Sequence, residues 1–227
     1  MTRALRLIIF DVDGTLVDSQ NDILGAMTHA FERAGQPVPT RDETLGIVGL
    51  SLDVAIPRLA PLLDVSLHAQ IVAWYKEAYM DLRAKTGVAE SSPLYPHALA
   101  TLRALHAVPE NILGVATGKS RRGLDKLLDG HGLRHMFATQ QVADHHPSKP
   151  HPSMLRAALS ETGIDARDAV MIGDTSFDME MARAAGIPAI GVSWGYHAAD
   201  VLSAATQIID DFRQLPACLE SLWEISQ

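Results

Sequence analysis

Charged and hydroxyl side chains follow several short apolar segments of this sequence. Asp11 and Asp13 come directly after "LRLIIF", Thr117 ends "NILGVAT", and Asp174 follows "DAVMIG". Lys149 precedes the helical pattern that leads into the last of these segments. If the apolar segments are parallel strands, their carboxyl ends meet at one edge of a sheet, which is where open α/β sheets bind ligands. We therefore expect these five side chains to lie in one crevice.

This predicted crevice gathers more carboxylates than one basic side chain can balance. Taken singly, Asp13–Gly14 is a common turn, Asp174 and Asp178 can cap a helix, and Lys149 can be a solvated loop charge. Taken together, unpaired carboxylates repel one another and require a cation. Oxygen ligands without cysteine favour Mg²⁺. Zinc is the weaker alternative. The segment "DHHPSKPHP" contains His145, His146 and His151, but these histidines have no matching ligands at metal-binding spacing.

The segment "GVATGKSRRG" superficially suggests a nucleotide-binding P-loop. In a P-loop, four residues separate the first glycine from Gly-Lys-Ser, so that backbone N–H groups surround the phosphates. Here Leu113 occupies the position of that first glycine, and Gly114 stands one residue too close. The spacing argues against a P-loop and leaves open which phosphate, if any, this turn holds.

Most of the chain alternates between strand-like and helical patterns. Apolar runs that end at small or acidic residues recur as "LRLIIF", "NILGVAT", "DAVMIGD", "IPAIGV" and "ATQIIDD". Between them, "YPHALATLRALHA" places Pro96 in a first helical turn, "HPSMLRAALSETG" offers Ser153 as an N-cap, and "FDMEMARAAG" ends at Gly186. This alternation predicts an α/β fold, with a doubly wound, Rossmann-like parallel sheet covered on both faces.

One stretch after the first strand is helical throughout in its pattern. It includes a predicted capping box at Thr40 and Glu43 and a long helix that ends at Gly87. We therefore predict a core domain of residues 1–18 and 91–227, with an inserted all-helical cap domain of residues 19–90. Helical insertions of this kind often cover the site of the core.

Composition limits the classes of partner. The 227 residues are 47% hydrophobic and 20% charged, with a formal net charge of −8. An acidic chain argues against nucleic acid or a membrane surface as a partner, although a bound cation can still attract an anionic substrate. The single cysteine, Cys218, cannot form an internal disulfide and is expected to pack in the interior. We expect a cytoplasmic protein that is a monomer or a homodimer.

Four motifs, in order and spacing, resemble those of the haloacid dehalogenase superfamily: "FDVDGTLVDS", "VATGKS", "SKPHPSM" and "IGDTSFDMEMARAAG". The sequence is most similar to the phosphoglycolate-phosphatase-like branch, whose helical cap follows the first motif. The Asp-x-Asp-Gly-Thr pattern is typical of the phosphatases, whereas the true dehalogenases lack the second acid. His97 departs from the pattern, because relatives commonly carry glycine after "LYP".

The resemblance implies a role for each motif residue. Asp11 would be the nucleophile that forms an aspartyl-phosphate, and Asp13 would be the general acid and then the base. Mg²⁺ would be held by Asp11, the backbone carbonyl of Asp13 and Asp174, with Asp178 orienting these ligands. The phosphoryl group would be bound by the loop residues Gly14, Thr117, Gly118 and Lys149. On this interpretation the "GVATGKS" turn holds the phosphate of the substrate through Thr117, and Lys119 extends toward solvent.

The substrate implied is a small phosphate ester such as phosphoglycolate. A sugar phosphate, a nucleotide, pyrophosphate or a phosphomutase reaction stays open, and a non-catalytic or receiver-like phospho-aspartate module is the alternative of another class. Motif order and chain length argue against the receiver-like module. Substrate specificity is expected to depend on the cap, whose "LGIVGLSLD" turn could reach the core. The cap also carries four cations that could meet a substrate carboxylate, namely Arg33, Arg41, Arg58 and Lys76.

Overall fold

A computed structural model of the protein describes residues 4–225. Within this range, six parallel strands form one sheet in the order β3-β2-β1-β4-β5-β6. The strands are β1 (Arg6–Phe10), β2 (Asn111–Thr117), β3 (Phe137–Val142), β4 (Ala169–Gly173), β5 (Ala189–Val192) and β6 (Gln207–Ile209). Because the order reverses at β1, this strand lies at the centre of a doubly wound sheet.

Both faces of the central strand are covered. Ile8 and Phe10 belong to one core cluster and Leu7 and Ile9 to another on the opposite face, and all four are fully buried. A strand buried on both faces needs a continuous apolar run, because successive side chains point to opposite sides. This explains why "LRLIIF" could be recognised as a strand in the sequence.

Five helices flank the sheet. They are α6 (Ala98–His106), α7 (Arg121–Gly130), α8 (Ser153–Thr162), α9 (Ser176–Ala185) and α10 (Leu215–Ile225). Two predicted helix starts were wrong. Pro96 lies before α6, whose N-cap is His97 in the left-handed conformation (φ 65°). Ser153 is the first residue of α8 rather than its cap, because its hydroxyl contacts the His146 ring at 2.9 Å.

The chain between β1 and α6 is helical, as the sequence predicted for residues 19–90. Its helices are α1 (Gln20–Arg33), α2 (Arg41–Leu45), α3 (Leu52–Leu59), α4 (Val65–Thr86) and α5 (Val88–Ser91). Helices α1 and α4 pack through an apolar cluster that includes Phe31 and Ile71. The predicted capping box of Thr40 and Glu43 is present at the start of α2, and α4 ends at Gly87 as expected. A parallel α/β core with a helical cap is thus confirmed as the fold class.

The insertion joins the core through two paired chain segments. Val17 and Leu94 form an isolated antiparallel bridge, and the Asp18 N–H donates to the Pro93 carbonyl at 2.9 Å. The predicted limits at residues 18–19 and 90–91 lie close to this crossing. The ends of the predicted core, residues 1–3 and 226–227, lie outside the described residues.

Two further features bear on the predictions from composition. Cys218 is buried in the core, where its thiol donates to Gln207 Oε1 at 2.9 Å. Across residues 4–225, none of the helices combines the length and the apolar character needed to cross a bilayer.

Candidate active site

The register of the sheet brings the predicted site residues to the edge formed by the carboxyl ends of the strands. Phe10, the last residue of β1, lies opposite Val115 on β2 and Ile172 on β4. The residues that follow these positions therefore emerge together at the carboxyl ends of the strands. Asp11 and Thr117 are each 1% exposed and Asp174 is fully buried, so the crevice predicted from the sequence is a buried site.

Lys149 links two of the carboxylates at the floor of this site. Its Nζ donates to Asp11 Oδ1 at 2.7 Å and to Asp178 Oδ1 at 2.6 Å, and all three side chains are almost fully buried. Burial lowers the pKa of Lys149, but the charges of Asp11 and Asp178 more than offset this and raise it overall. The Lys149 side chain is therefore positively charged, and its hydrogen bonds to Asp11 and Asp178 hold it in position.

The acids outnumber this one cation. Carboxylate oxygens of Asp11, Asp174 and Asp178 all lie within 4.8 Å of one another. Burial raises the pKa of Asp11 to about 7, against the opposing charge of Lys149. Burial, together with repulsion by Asp11 and Asp178, raises the pKa of Asp174 well above its usual range. Three buried carboxylates with a single ammonium favour the binding of a further positive charge.

The donor set fits a divalent cation in a second respect. Asp11 Oδ2 is buried and has no hydrogen-bond partner among the described residues. A carboxylate oxygen that is desolvated and unpaired is costly unless a ligand compensates it. Hard oxygen donors that lack sulfur are the ligands of Mg²⁺. The residues present thus fit the group that the motifs imply.

Asp174 is held in place by residues of the first motif and of the loop that follows β5. Thr15 Oγ1 donates to Asp174 Oδ1, and the backbone N–H of Tyr196 donates to Oδ2, both at 2.8 Å. A Cβ at Gly14 would lie 2.1 Å from Asp174 Oδ2, and one at Gly195 would lie 2.1 Å from Asp174 Cβ. Glycine is required at both positions because the backbone passes against this carboxylate.

Gly14 has a different visible role from the predicted one. Its N–H donates to the Val17 carbonyl at 2.9 Å and so already has an acceptor. With φ at +82° and Asp174 against its Cα, Gly14 shapes the turn that brings the first motif to the carboxylate cluster. The Gly14 N–H is therefore already engaged within this turn.

Asp13 lies beside a second lysine. Lys119 Nζ forms an ion pair with Asp13 Oδ1 at 2.8 Å and donates to Tyr79 Oη at 3.1 Å. The Ser19 hydroxyl donates to the same Asp13 oxygen. Burial lowers the pKa of Lys119, but the Asp13 charge reverses this and raises it overall. The prediction that Lys119 extends to solvent was wrong, because its side chain is only 9% exposed.

The turn after β2 faces the insertion. A Cβ at Gly118 would lie 2.7 Å from the Gly49 carbonyl oxygen and 2.9 Å from that of Leu50. The Ser51 N–H donates to Ser148 Oγ at 2.9 Å, next to Lys149 in sequence. The "LGIVGLSLD" turn therefore reaches the core at the two loops that carry Thr117 and Lys149.

A cavity of about 550 Å³ lies between the core and the insertion. Asp11, Asp13 and Thr117 line its core side, and residues of α1, α3, α4 and the "LGIVGLSLD" turn line the other. A volume of this size accommodates a small organic ligand. The arrangement places two carboxylates, one of them paired with a lysine, and a hydroxyl on one wall of the cavity.

Sequence reasoning missed several residues that contact the site. Ser19, Thr15 and Tyr196 hold Asp13 or Asp174, and Tyr79 and Arg83 line the cavity from α4. The strand-end rule, applied to the residues after β5, could have identified the Tyr196 loop. Of the four cap cations considered, Lys76 lines the cavity, whereas Arg33, Arg41 and Arg58 do not contribute to its described lining.

Comparison with known proteins places this geometry in a family. Residues 8–192 match the sequence profile described as "Haloacid dehalogenase-like hydrolase". The chain is 34% identical to a protein named "Probable phosphatase IndB" from Dickeya dadantii, over 97% of this chain and 96% of that protein. It is also 34% identical to a protein named "Phosphoglycolate phosphatase" from Agrobacterium fabrum, over 95% and 93% of the two chains.

Solved structures agree with the sequence comparisons. A hydrolase of the haloacid dehalogenase-like family from Streptococcus pneumoniae superposes with a TM-score of 0.79 at 28% identity, covering 94% of this chain and 98% of that one. The match therefore includes both the parallel sheet and the helical insertion. Four motifs, one buried carboxylate cluster and near-complete alignment with named relatives lead to the same conclusion: the chain belongs to the haloacid dehalogenase-like hydrolase family.

Proposed function

We propose that this chain is a phosphatase that hydrolyses a small phosphate monoester through a phosphoryl group carried on Asp11. The observation that carries the proposal is the state of the Asp11 carboxylate. One oxygen is fixed by buried Lys149, the other has no hydrogen-bond partner among residues 4–225, and Asp11 lines the cavity. The phosphatase names of two relatives at 34% identity support the same reaction class.

The reaction would proceed in two displacements with a balanced proton inventory. In the first, an Asp11 oxygen bonds to phosphorus, the ester P–O bond breaks, and Asp13 gives a proton to the departing oxygen. In the second, Asp13 takes a proton from water, whose oxygen bonds to phosphorus as the bond to Asp11 breaks. Inorganic phosphate leaves, and both carboxylates return to their starting states.

The other motif residues would position and neutralise the phosphoryl group. Lys149 lies against the Asp11 carboxylate and so would reduce the repulsion between that anion and an approaching phosphate. Thr117, at the end of β2, and the backbone N–H of Gly118 would donate to phosphoryl oxygens. Lys119 would fix the Asp13 carboxylate through their 2.8 Å ion pair.

The metal would be Mg²⁺, held by Asp11, Asp174 and the backbone carbonyl of Asp13. Asp178 would orient these ligands, because its two oxygens are fixed by Lys149 and by the Thr175 N–H and hydroxyl. When bound, the ion supplies positive charge to the phosphoryl oxygens. The chain's contribution is a buried, preformed set of oxygen donors.

We further propose that residues 19–90 act as a cap domain over this site and that the substrate is phosphoglycolate-like. The contacts of the "LGIVGLSLD" turn with Gly118 and Ser148 support a cap that meets the catalytic loops directly. The name of the Agrobacterium fabrum relative supports the substrate class. A cap that closes over the phosphate would exclude bulk water from the first displacement.

The test is phosphate release from a panel of monoesters, measured with Mg²⁺, after chelation, and after Mg²⁺ is restored. We expect release that vanishes with the chelator and returns with the ion. Asp11→Asn should abolish turnover because an amide oxygen is a poor nucleophile, whereas Asp200→Asn, at an exposed position, should not change it. Absence of release from every ester, or full release without metal, would overturn the proposal.

A further inference from the structure

One buried cation in the cavity wall has no role in the chemistry above. Arg83 lies in the last turns of α4, is 7% exposed, and lines the cavity. Its Nε and Nη2 are buried without a hydrogen-bond partner among the described residues. No carboxylate of residues 4–225 forms an ion pair with it within 4.0 Å. A guanidinium that is desolvated and unpaired is unfavourable unless something else compensates it.

The groups around Arg83 increase the positive charge at this end of the cavity. Its guanidinium carbon lies 5.4 Å from the centroid of the Tyr79 ring, and Lys119 Nζ lies 5.1 Å from the same centroid. Lys119 is matched by Asp13, whereas Arg83 has no such partner. Buried Asp22 interacts with Arg83 electrostatically but forms no ion pair with it within 4.0 Å, and Asp22 Oδ2 has no hydrogen-bond partner among the described residues.

Other cations on the cavity wall differ from Arg83 in their exposure. Lys76, Arg122 and Lys126 also line it, but all three are exposed and can be solvated. The lining acids Asp53 and Asp144 are exposed as well. Among the described lining residues, Arg83 thus combines burial with two guanidinium nitrogens that lack hydrogen-bond partners, and these properties suit a side chain that binds an anion.

We propose that Arg83 is the specificity-determining residue of a second anion subsite, which binds a carboxylate on the non-reacting end of the phosphate ester. The proposal rests on the phosphatase function and deepens it. A carboxylate accepts two parallel N–H bonds from one guanidinium, so the two unpartnered nitrogens match it geometrically. The Arg83 guanidinium carbon and Lys119 Nζ lie 5.4 and 5.1 Å from the same Tyr79 ring centroid, so the subsite would adjoin the Lys119–Asp13 pair.

Matched substrate pairs test the proposal. In each pair the ester carries either a carboxylate or a hydroxymethyl group: phosphoglycolate against 2-hydroxyethyl phosphate, and 3-phosphoglycerate against glycerol 3-phosphate. We expect at least one carboxylate ester to be preferred tenfold or more in kcat/KM. Arg83→Met should remove that preference, mainly by raising KM for the carboxylate ester, and change the neutral ester less than threefold. Arg83→Lys should restore part of it.

The controls separate this role from a structural one and from the catalytic proposal. Arg58→Gln, a cap cation that stacks on Phe177, should leave the preference intact. Arg83 forms no ion pair within 4.0 Å among residues 4–225, so the Arg83→Met variant should unfold at the same temperature as the parent enzyme or a higher one. A lower unfolding temperature, together with equal losses of kcat/KM on both esters, would mean that Arg83 stabilises the fold through Asp22 and would overturn the subsite.

An activity-independent measurement completes the test. In the Asp11→Asn background, calorimetric titration should show tighter binding of phosphoglycolate than of 2-hydroxyethyl phosphate, and Arg83→Met should abolish that difference. Equal binding of the two esters before the Arg83 change would overturn the subsite. Failure of the parent enzyme to hydrolyse any ester would instead count against the phosphatase function, so the two failures are distinguishable.

Discussion

The two lysine-containing regions of the site differ in how their charges are matched. Around Lys149, on the core floor, the ammonium contacts two carboxylates at 2.7 and 2.6 Å and is fully buried. Toward the cap, Lys119 contacts Asp13, whereas Arg83 Nε and Nη2 have no hydrogen-bond partner among residues 4–225. The core region is organised before any ester arrives, whereas the cap region is completed by a ligand. Chemistry and selectivity are therefore assigned to different walls of one cavity.

Removing the core lysine should have the largest effect. Lys149→Ala leaves Asp11 and Asp178 facing each other with no ammonium between them and takes a positive charge from the phosphoryl site. We expect a loss of turnover of about 3 kcal/mol, on the order of 100-fold, which is the scale of a lost oxyanion donor. Steady-state kinetics at saturating Mg²⁺ measure it, with thermal unfolding to confirm a folded variant. Turnover within tenfold of the parent enzyme would contradict the core assignment.

Crowding the core wall should have the next largest effect. Gly14→Ala would place a Cβ 2.1 Å from Asp174 Oδ2, at φ +82°, whereas Gly35→Ala in the cap meets no atom within 4 Å at a similar φ of +64°. The two changes share backbone strain, so their difference isolates the crowding. We expect about 1 kcal/mol of lost unfolding free energy at Gly35 and about 2–4 kcal/mol at Gly14. Denaturant unfolding measures both, and equal losses would show that Asp174 can move aside.

Lys119 should matter less than Lys149. Lys119→Ala frees Asp13 from one of its two partners, while the Ser19 hydroxyl still donates to it. We expect turnover to fall about tenfold, or roughly 1.4 kcal/mol. Kinetics of both lysine variants on the same ester check this order. A greater loss at Lys119 than at Lys149 would mean that the turn after β2 binds phosphate through its lysine.

The smallest effect expected is that of the Tyr79 hydroxyl, whose ring contacts Lys119 of the core and Arg83 of α4. Tyr79→Phe removes the 3.1 Å contact with Lys119 Nζ but keeps the ring that faces both Lys119 and Arg83. A single hydrogen bond contributes roughly 0.5–1 kcal/mol, so kcat/KM should change less than about fivefold. Tyr79→Leu, which removes the ring as well, is the matched comparison. If the phenylalanine variant were as impaired as the leucine variant, the hydroxyl and not the ring would organise this region.

The sequence predicted the parts of the fold whose patterns are local. Apolar runs gave five of the six described strands: the four central strands, which need such runs because both their faces are buried, and the edge strand β6, whose "QII" is itself largely apolar. β3 was missed because "FATQQV" is an edge strand with exposed Ala138 and polar Gln140 and Gln141, so no apolar run marks it. Gln141 donates to Thr139 within β3 and to Glu161 of α8, and the second contact exists only after α8 packs against the strand.

In the site, too, residues marked by local sequence patterns could be predicted, whereas contacts that depend on tertiary packing could not. Motif spacing and strand ends identified Asp11, Asp174, Asp178 and Lys149, which the fold brings into one cluster. The environment of Lys119 could not be predicted in this way, because it depends on Tyr79 from α4, forty residues away in sequence. Arg83 escaped notice for the same reason, since only tertiary packing distinguishes a buried cap arginine from a solvated one.

The central claim is that Asp11 carries the phosphoryl group during turnover, and peptide mass spectrometry after rapid acid quenching tests it most directly. The parent enzyme, mixed with Mg²⁺ and a hydrolysable ester and quenched within milliseconds, should yield the peptide containing residues 8–17 with one added phosphate on Asp11. Borohydride trapping should convert that residue to homoserine, because an acyl phosphate is reducible and a phosphate monoester is not. Phosphate found on another residue would contradict the account, as would rapid hydrolysis with no modified Asp11 at any quench time.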